Sequence, residues 1–321
     1  MKKFLVLFVM LLAVVVFGSC SSNDVEEMVT TTDVIRNDRD GKTLNALKDY
    51  NDVLLQQCDR TRGGNGWLVA HADIKGAFKG INVGHKVAGL FGAATGGVGY
   101  VSIVAGAGLA VGSVYSYMAY KRHSCEYAIV ASELYDYTMK IINNKYIGAE
   151  RADTTIAKID DDYEVCEAIE LPQDFGYLKN IGVDHNKILA SSNVDGNLPV
   201  SNYAVNKELK PVFMDEVAYS QFNEAINSAE MNEYFNTAIE DFKNGTELED
   251  LDCSDRVKQA LQGYLDLFQT YPENVDDLVE IANGYIKIIE ENHEFTKEEK
   301  EMIYAAIMVS VYSPQLWYNL K

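Results

Sequence analysis

The fold of this chain depends on residues 73–120, which read DIKGAFKGINVGHKVAGLFGAATGGVGYVSIVAGAGLAVGSVYSYMAY. Small residues recur there at every fourth position in two runs. The runs are Gly76, Gly80, Gly84, Ala88, Gly92 and Gly96, then Gly108, Gly112 and Ser116. On an α-helix this spacing leaves one face almost free of side chains, so a second backbone can approach it closely. Because each glycine costs a helix about 1 kcal/mol relative to alanine, the pattern predicts tight helix packing.

The stretch divides at the glycine-rich residues 95–99, which predict a turn between helices at 73–94 and 100–120. The first helix carries four basic residues, and we expect it to face an interface or a partner. These residues are Lys75, Lys79, His85 and Lys86. The second helix holds no charged residue and is long enough to cross a bilayer.

Three interpretations of this hairpin stay open, and all of them treat it as a glycine zipper. It inserts into or lies on a membrane, it folds into a protein core as a close-packed pair covered by acidic helices, or it drives self-association outside a bilayer. The ladder predicts close packing in each case. It specifies no activity.

Charge separates the hairpin from the rest of the chain. The whole chain has a formal net charge of −20, yet the stretch from His71 to Cys125 contains five Lys or Arg and a single Asp. Nucleic acid is excluded as a partner because phosphate backbones require a basic surface. An acidic surface also repels anionic membranes, so any membrane contact beyond a lipid anchor is expected to involve residues 73–120.

The N-terminus has the pattern of an export signal. Two lysines follow Met1, the apolar run from Phe4 to Phe17 is too short to span a bilayer, and Gly18 and Ser19 precede Cys20. This end resembles the lipobox of Gram-negative bacterial lipoproteins. The resemblance implies that residues 1–19 are removed as a signal peptide, and that Cys20 becomes an acylated, palmitate-bearing first residue. Two or more acyl chains hold a protein stably on a membrane.

The residues after the anchor predict a stalk. Residues 20–42 are polar, acidic and without apolar periodicity, which favours a flexible linker. Acidic residues close to the acylated cysteine resemble signals that send some lipoproteins to the outer face of the outer membrane. They are Asp24, Glu26 and Glu27. We therefore expect a lipid-anchored protein of the cell envelope, in the outer membrane and exposed at the cell surface.

Three further regions follow the stalk. Residues 43–146 are predicted to be helical, with helices at 43–59 and 126–146 beside the hairpin. Residues 147–206 are predicted to be irregular with short strands, and residues 207–321 to form an antiparallel helical bundle. The predicted fold class is therefore mainly α.

Helix start and stop signals divide the C-terminal region. Ser254 predicts the start of a helix ending near Tyr271, and Pro272 the start of one running to about Asn292. Thr296 and Glu299 have the spacing of a capping box for a third helix, which is predicted to stop at Ser313-Pro314.

The order of these features resembles a class of Gram-negative lipoproteins to which no activity is attached. It consists of a lipobox, an acidic stalk, a glycine ladder, a turn containing His185-Asn186 and an aromatic C-terminal end. The aromatic residues are Tyr312, Trp317 and Tyr318. The resemblance therefore indicates no particular activity, and no cofactor is expected because the sequence contains no cofactor-binding motif.

A catalytic alternative rests on three residues. Asp184 and His185 can serve as acid and base, and Cys166 as a nucleophile, in a cell-envelope hydrolase. A helix cap and a backbone hydrogen bond explain Asp184 and His185 more simply. We therefore expect no enzyme.

The spacing of the histidines and cysteines bears on metal binding and on disulfides. No two histidines or cysteines have the spacing of a metal site, so no metal is expected. Four cysteines follow Cys20, namely Cys58, Cys125, Cys166 and Cys253. We expect buried free thiols, with one disulfide as the alternative and three ways of pairing four cysteines.

Overall fold

A computed structural model describes nine stretches of the chain. They are residues 41–57, 65–91, 97–121, 146–148, 168–191, 212–214, 216–249, 251 and 253–318. The signal peptide, Cys20, almost all of the stalk, Gly92, Gly96, Cys58, Cys125 and Cys166 lie outside these residues. From Thr43 onward the described residues belong to a compact unit, Thr43–Lys321, with one continuous hydrophobic core.

Nine α-helices form most of the described structure, which confirms the mainly α fold class. They are α1 Lys42–Leu55, α2 Asn65–Leu90, α3 Val98–Lys121, α4 Ile181–Ser191, α5 Glu216–Ile226, α6 Ala229–Asn244, α7 Asp255–Thr270, α8 Val275–Asn292 and α9 Lys297–Tyr318. A 3-10 helix, Gln173–Leu178, precedes α4. Two short strands, β1 Tyr146–Gly148 and β2 Val212–Met214, pair in parallel with Tyr146 opposite Val212.

The hairpin of α2 and α3 lies at the centre of this unit. Helix α9 packs along α2 and also contacts α4, while α6 packs on α2 and α5 packs on α3. Helices α7, α8 and α9 follow one another with short connections and contact each other. Because α9 packs chiefly on α2, the C-terminal helices and the hairpin share a single core rather than forming separate domains.

Two of the three helix starts predicted in the C-terminal region are confirmed, whereas the first hairpin helix, predicted over 73–94, begins earlier at Asn65 and ends at Leu90. Ser254 directly precedes α7, and the Thr296 capping box is present, with Glu299 N donating to Thr296 Oγ1 at 3.2 Å. The predicted start at Pro272 is wrong by three residues. Helix α8 begins at Val275, after a capping box between Asn274 and Asp277.

The predicted stop at Ser313-Pro314 is wrong, because α9 continues through Pro314 to Tyr318. A proline inside a helix removes one backbone hydrogen bond. Side chains of the last turn offset this loss by packing, since Leu316 is buried and the Trp317 indole donates to Asp73.

The prediction that residues 147–206 are irregular is wrong for 173–191, where the 3-10 helix and α4 lie. Helix α4 is short and contains Gly182, so its propensity is weak. Burial of Val183, Ile188 and Leu189 in the shared core decides its structure. The predicted helix at 126–146 lies outside the described residues except for Tyr146, which belongs to β1.

Candidate functional site

The glycines of α2 form a seam directly against the backbone of α3. The facing pairs are Gly76 with Gly112, Gly80 with Gly108, and Gly84 with Val104. A Cβ atom added at Gly80 would lie 2.5 Å from the carbonyl oxygen of Ala107 and 2.7 Å from Cα of Gly108. Neither backbone atom can move independently of its helix. The separation of α2 and α3 therefore requires glycine at this position.

The α3 side of the ladder packs differently. A Cβ at Gly108 would approach the side-chain tip of Ile81 at 2.8 Å, and one at Gly112 would lie 3.3 Å from Cδ2 of His185. Ala88 and Ser116 are buried. The ladder glycines of α2 and α3 thus come together in one antiparallel seam. Each α2 glycine of the seam contacts α3 backbone, whereas Gly108 contacts side chains and Gly112 contacts both the His185 side chain and the backbone of Ala77.

The cations of α2 contact helix α6 of the same chain. Lys79 Nζ lies 2.6 Å from Asp241 Oδ2, and both side chains are almost fully buried. Lys75 Nζ lies 3.9 Å from Glu247 Oε2. Lys86 Nζ lies 5.8 Å from the centroid of the Tyr234 ring, a cation–π distance. The interpretation of this face as interfacial is therefore corrected for Lys75 and Lys79, because Asp241 of α6 and Glu247 in the segment after α6 already pair with them.

Near the turn of the hairpin, His85, Tyr100 and Glu301 form a buried polar cluster. The Tyr100 hydroxyl donates to Glu301 Oε2 at 3.1 Å and lies 2.7 Å from His85 Nδ1. His85 Nε2 lies 3.3 Å from the same carboxylate oxygen. Burial lowers the pKa of His85 to about 4, and burial also raises the pKa of Glu301. His85 is therefore uncharged at neutral pH.

At the opposite end of the seam, Asp73 of α2 is fully buried. Its Oδ2 atom accepts hydrogen bonds from Ser313 Oγ at 2.5 Å and from Trp317 Nε1 at 3.0 Å. Burial raises the pKa of Asp73, while His185 and Ser116 act in the opposite direction. This carboxyl links the start of the hairpin to the end of α9.

His185 and Asn186 lie within α4 rather than in a turn, which corrects the predicted structure of this motif. The Asn186 side-chain amide donates to the carbonyl of Tyr312 at 2.8 Å, and its Oδ1 lies 3.3 Å from His185 Nδ1. His185 is completely buried and Asp184 is 2 % exposed. Asp184 and His185 are therefore placed in the core, away from solvent. Since Cys166 lies outside the described residues, the hydrolase alternative stays a prediction.

Comparison of the chain with family models, curated proteins and solved structures found no match.

Metal ligands are not grouped in the described part of the chain. No three His, Cys, Asp or Glu side chains among the described residues are arranged to hold a metal ion. The Cys253 side chain is partly buried. The pairing of the other cysteines stays a prediction.

One helix among the described residues, Gly99–Tyr120, has the length and composition to cross a membrane. Its most apolar window is 94 % buried inside the protein. A buried core helix and a membrane helix share this composition, so burial is the property that separates them here.

Sequence reasoning missed the roles of Asp73, Ser313 and Trp317. The sequence contained a signal for Asp73, because it is the only acidic residue between His71 and Cys125. A lone acid in a basic, glycine-rich stretch indicates a specific buried partner. The partners themselves lie 240 or more residues further along the chain, beyond the reach of local patterns.

Proposed function

We propose that this protein is a lipid-anchored, non-enzymatic component of the bacterial cell envelope, held by Cys20, whose glycine hairpin gives close helix packing inside its folded body. The observation that carries this proposal is the backbone contact between the α2 glycines and α3. The lipobox-like sequence before Cys20 supports the anchor, and the acidic residues Asp24, Glu26 and Glu27 after it support a position at the outer membrane.

The contacts of α2 favour internal packing over membrane insertion. To enter a bilayer, this helix would have to break the Lys79–Asp241 ion pair and the hydrogen bonds of Asp73. A charged residue at the centre of a membrane helix costs about 3 kcal/mol on insertion scales. Asp73 and Lys79 both lie inside the segment that would insert. Packing within the chain satisfies them at no such cost.

The same contacts favour internal packing over self-association. A glycine ladder drives association by offering an open groove to a second helix. Here α3 already fills the groove along Gly76, Gly80 and Gly84. The large exposed apolar side chains on the described surface are Val53, Leu68, Leu90 and Val217, none of which belongs to the ladder. Assembly would therefore need a surface other than the ladder.

Liposome binding of the mature chain, residues 20–321 carrying Cys20→Ala and made without the signal peptide, tests the role of the hairpin. We expect this chain to stay in the supernatant when liposomes of phosphatidylethanolamine and phosphatidylglycerol are sedimented. We expect the additional change Gly80→Ala to destabilise the body, and Gly89→Ala to leave it folded. Gly89 is the matched control because a Cβ there meets no atom within 4 Å. Sedimentation of the folded Cys20→Ala chain with liposomes would contradict the packing role.

The anchor is tested separately by mass spectrometry of the mature N-terminus. We expect a chain that begins at an acylated Cys20 and fractionates with membranes, and a chain made without residues 1–20 that appears in the soluble fraction. An unmodified Cys20 on the mature protein would overturn the anchor. It would leave the packing role of the hairpin unaffected.

A further inference from the structure

The start of α9 lies at the hairpin-turn end of α2. Asp73, in the first half of α2, accepts a hydrogen bond from Ser313 in the last turns of α9. Further along α2, His85 Nε2 lies 3.3 Å from Oε2 of Glu301, in the second turn of α9. The two helices therefore run antiparallel, and the first turn of α9 is beside the end of α2 that leads into the hairpin turn.

Helix α1, the first element after the predicted stalk, begins at that same end. The backbone N–H of Thr43 donates to Glu294 Oε2 at 3.1 Å, and Glu294 is three residues before α9. The helix then runs antiparallel to α8, where the Tyr50 hydroxyl donates to the carbonyl of Glu280 at 3.1 Å. Thr43 is completely buried. The point at which the body begins is therefore fixed next to the start of α9.

The hairpin-turn end also exposes an apolar surface without charge. Leu90, the last residue of α2, is 58 % exposed, and a Cβ on Gly89 would meet no atom within 4 Å. The described residues on either side of the turn, 87–91 and 97–100, include no charged side chain. Lipid can cover such a surface without removing a charged group from water.

The opposite end of α2 provides a comparison within the same helix. Leu68 is 55 % exposed and lies 22 residues before Leu90, which is about 33 Å along the helix axis. The stalk predicted over residues 20–42, as a flexible chain, has an average end-to-end distance of roughly 25–30 Å. A tether of this length that begins beside the start of α9 keeps Leu90 closer to the membrane than Leu68.

We propose that the anchored protein presents its hairpin-turn end to the lipid surface that holds Cys20, with Leu90 in contact with lipid. This inference rests on the lipid anchor of the proposed function. A single exposed leucine offers too little apolar area to hold an acidic body on a membrane, so the contact depends on the anchor. The end of the body that carries Leu68 then points away from the membrane.

Photocrosslinking of the full, acylated chain in isolated membranes tests this orientation. The photoreactive residue p-benzoylphenylalanine is placed either at Leu90 or at Leu68, a matched pair of leucines on one helix with similar exposure. Mass spectrometry after irradiation measures the fraction of each chain that carries a crosslinked lipid. We expect about threefold or more lipid adduct at position 90 than at position 68. Equal yields, a higher yield at position 68, or no adduct at either position on a chain with acylated Cys20 would overturn the orientation.

The same spectra separate this inference from the anchor on which it rests. An unmodified Cys20 overturns the anchor and the orientation together, whereas an acylated Cys20 with equal adducts overturns the orientation alone. If the probe at position 90 prevents folding, position 89 replaces it, because a side chain there enters open space. A chain made without residues 1–20 and mixed with the same membranes should lose most of the adduct at position 90. Retention of that adduct would overturn the dependence on the anchor.

Discussion

The faces of α2 are held in place by two different physical means. The face towards α3 is fixed by the absence of side chains, because Gly76, Gly80 and Gly84 let two backbones touch. The faces towards α6 and α9 are fixed by charge and hydrogen bonding, through Lys79 and Asp73. The contact with α3 depends on shape alone. The contacts with α6 and α9 depend on polar groups, which are stable in the interior only where a partner is present.

This difference explains why the hairpin is locally basic although the whole chain is acidic. A bare glycine pair would pack equally well against many helices, because small residues select close approach rather than a particular partner. Buried charges are selective, since each loses its stabilisation without the correct opposing group. Lys79 with Asp241 therefore specifies that α6 covers this face of the hairpin.

The largest loss of unfolding free energy is expected on breaking the buried ion pair of Lys79 and Asp241. Lys79→Met leaves Asp241 charged and buried without its partner, which should lower the free energy of unfolding by about 3–5 kcal/mol. Chemical denaturation at pH 7 measures the change. Lys75→Met is the matched control, because the Lys75–Glu247 distance of 3.9 Å is longer and the Lys75 side chain is 21 % exposed. We expect the control to lose less than half as much.

The double variant Lys79→Met, Asp241→Leu sharpens this prediction. Replacing both partners of a buried pair by apolar residues is often close to neutral. We therefore expect the double variant to recover most of the lost stability. If it is no more stable than Lys79→Met alone, charge is not the property that fixes this face.

The next largest change in the free energy of unfolding is expected for a substitution in the glycine seam. Gly80→Ala forces α2 and α3 apart because the new methyl group meets the backbone of Ala107 and Gly108. Overpacking of this kind costs about 1–3 kcal/mol. Gly89→Ala, in the same helix but in open space, should instead stabilise the protein by up to about 1 kcal/mol through helix propensity. Equal effects of the two changes would show that propensity, not contact, explains the ladder.

Acid should weaken the end of the hairpin near its turn. Burial lowers the pKa of His85 to about 4, below its ordinary value of 6.5, so the folded state disfavours the charged ring. This contribution to stability is complete above pH 6.5 and is lost as the pH falls towards 4. His85→Gln should therefore reduce the loss of unfolding free energy between pH 7 and pH 4.

The pH dependence of the variant's stability has to be compared with that of the parent, because other groups make the stability change with pH in the opposite direction. Burial raises the pKa of Asp73 and of Glu301, so protonation of these carboxyls favours the folded state as the pH falls. Burial also lowers the pKa of His71 to about 4, which adds to the effect of His85. A variant whose stability changes with pH as much as the parent's would contradict the role of His85.

Local signals in the sequence predicted the elements whose structure is set locally. The hairpin followed from glycine spacing, and the start of α9 from Thr296 and Glu299, which bond each other within one turn. Helix α4 and the last turn of α9 could not be predicted this way. Both are stabilised by contacts with distant parts of the chain, as when the α4 residue Asn186 bonds Tyr312 of α9. The polar partners of Asp73 were missed for the same reason.

The smallest effect is expected on the α3 side of the ladder, at Gly112. A Cβ there meets Cδ2 of His185 at 3.3 Å and the backbone nitrogen of Ala77 at 3.4 Å, so the neighbours need to shift by only a few tenths of an ångström. Alanine also gains about 1 kcal/mol of helix propensity over glycine. These terms oppose each other, and Gly112→Ala should change the free energy of unfolding by less than about 1 kcal/mol. A loss as large as that of Gly80→Ala would mean that both helices need glycine equally. The seam would then be a symmetric zipper, not one helix without side chains packed against an ordinary partner.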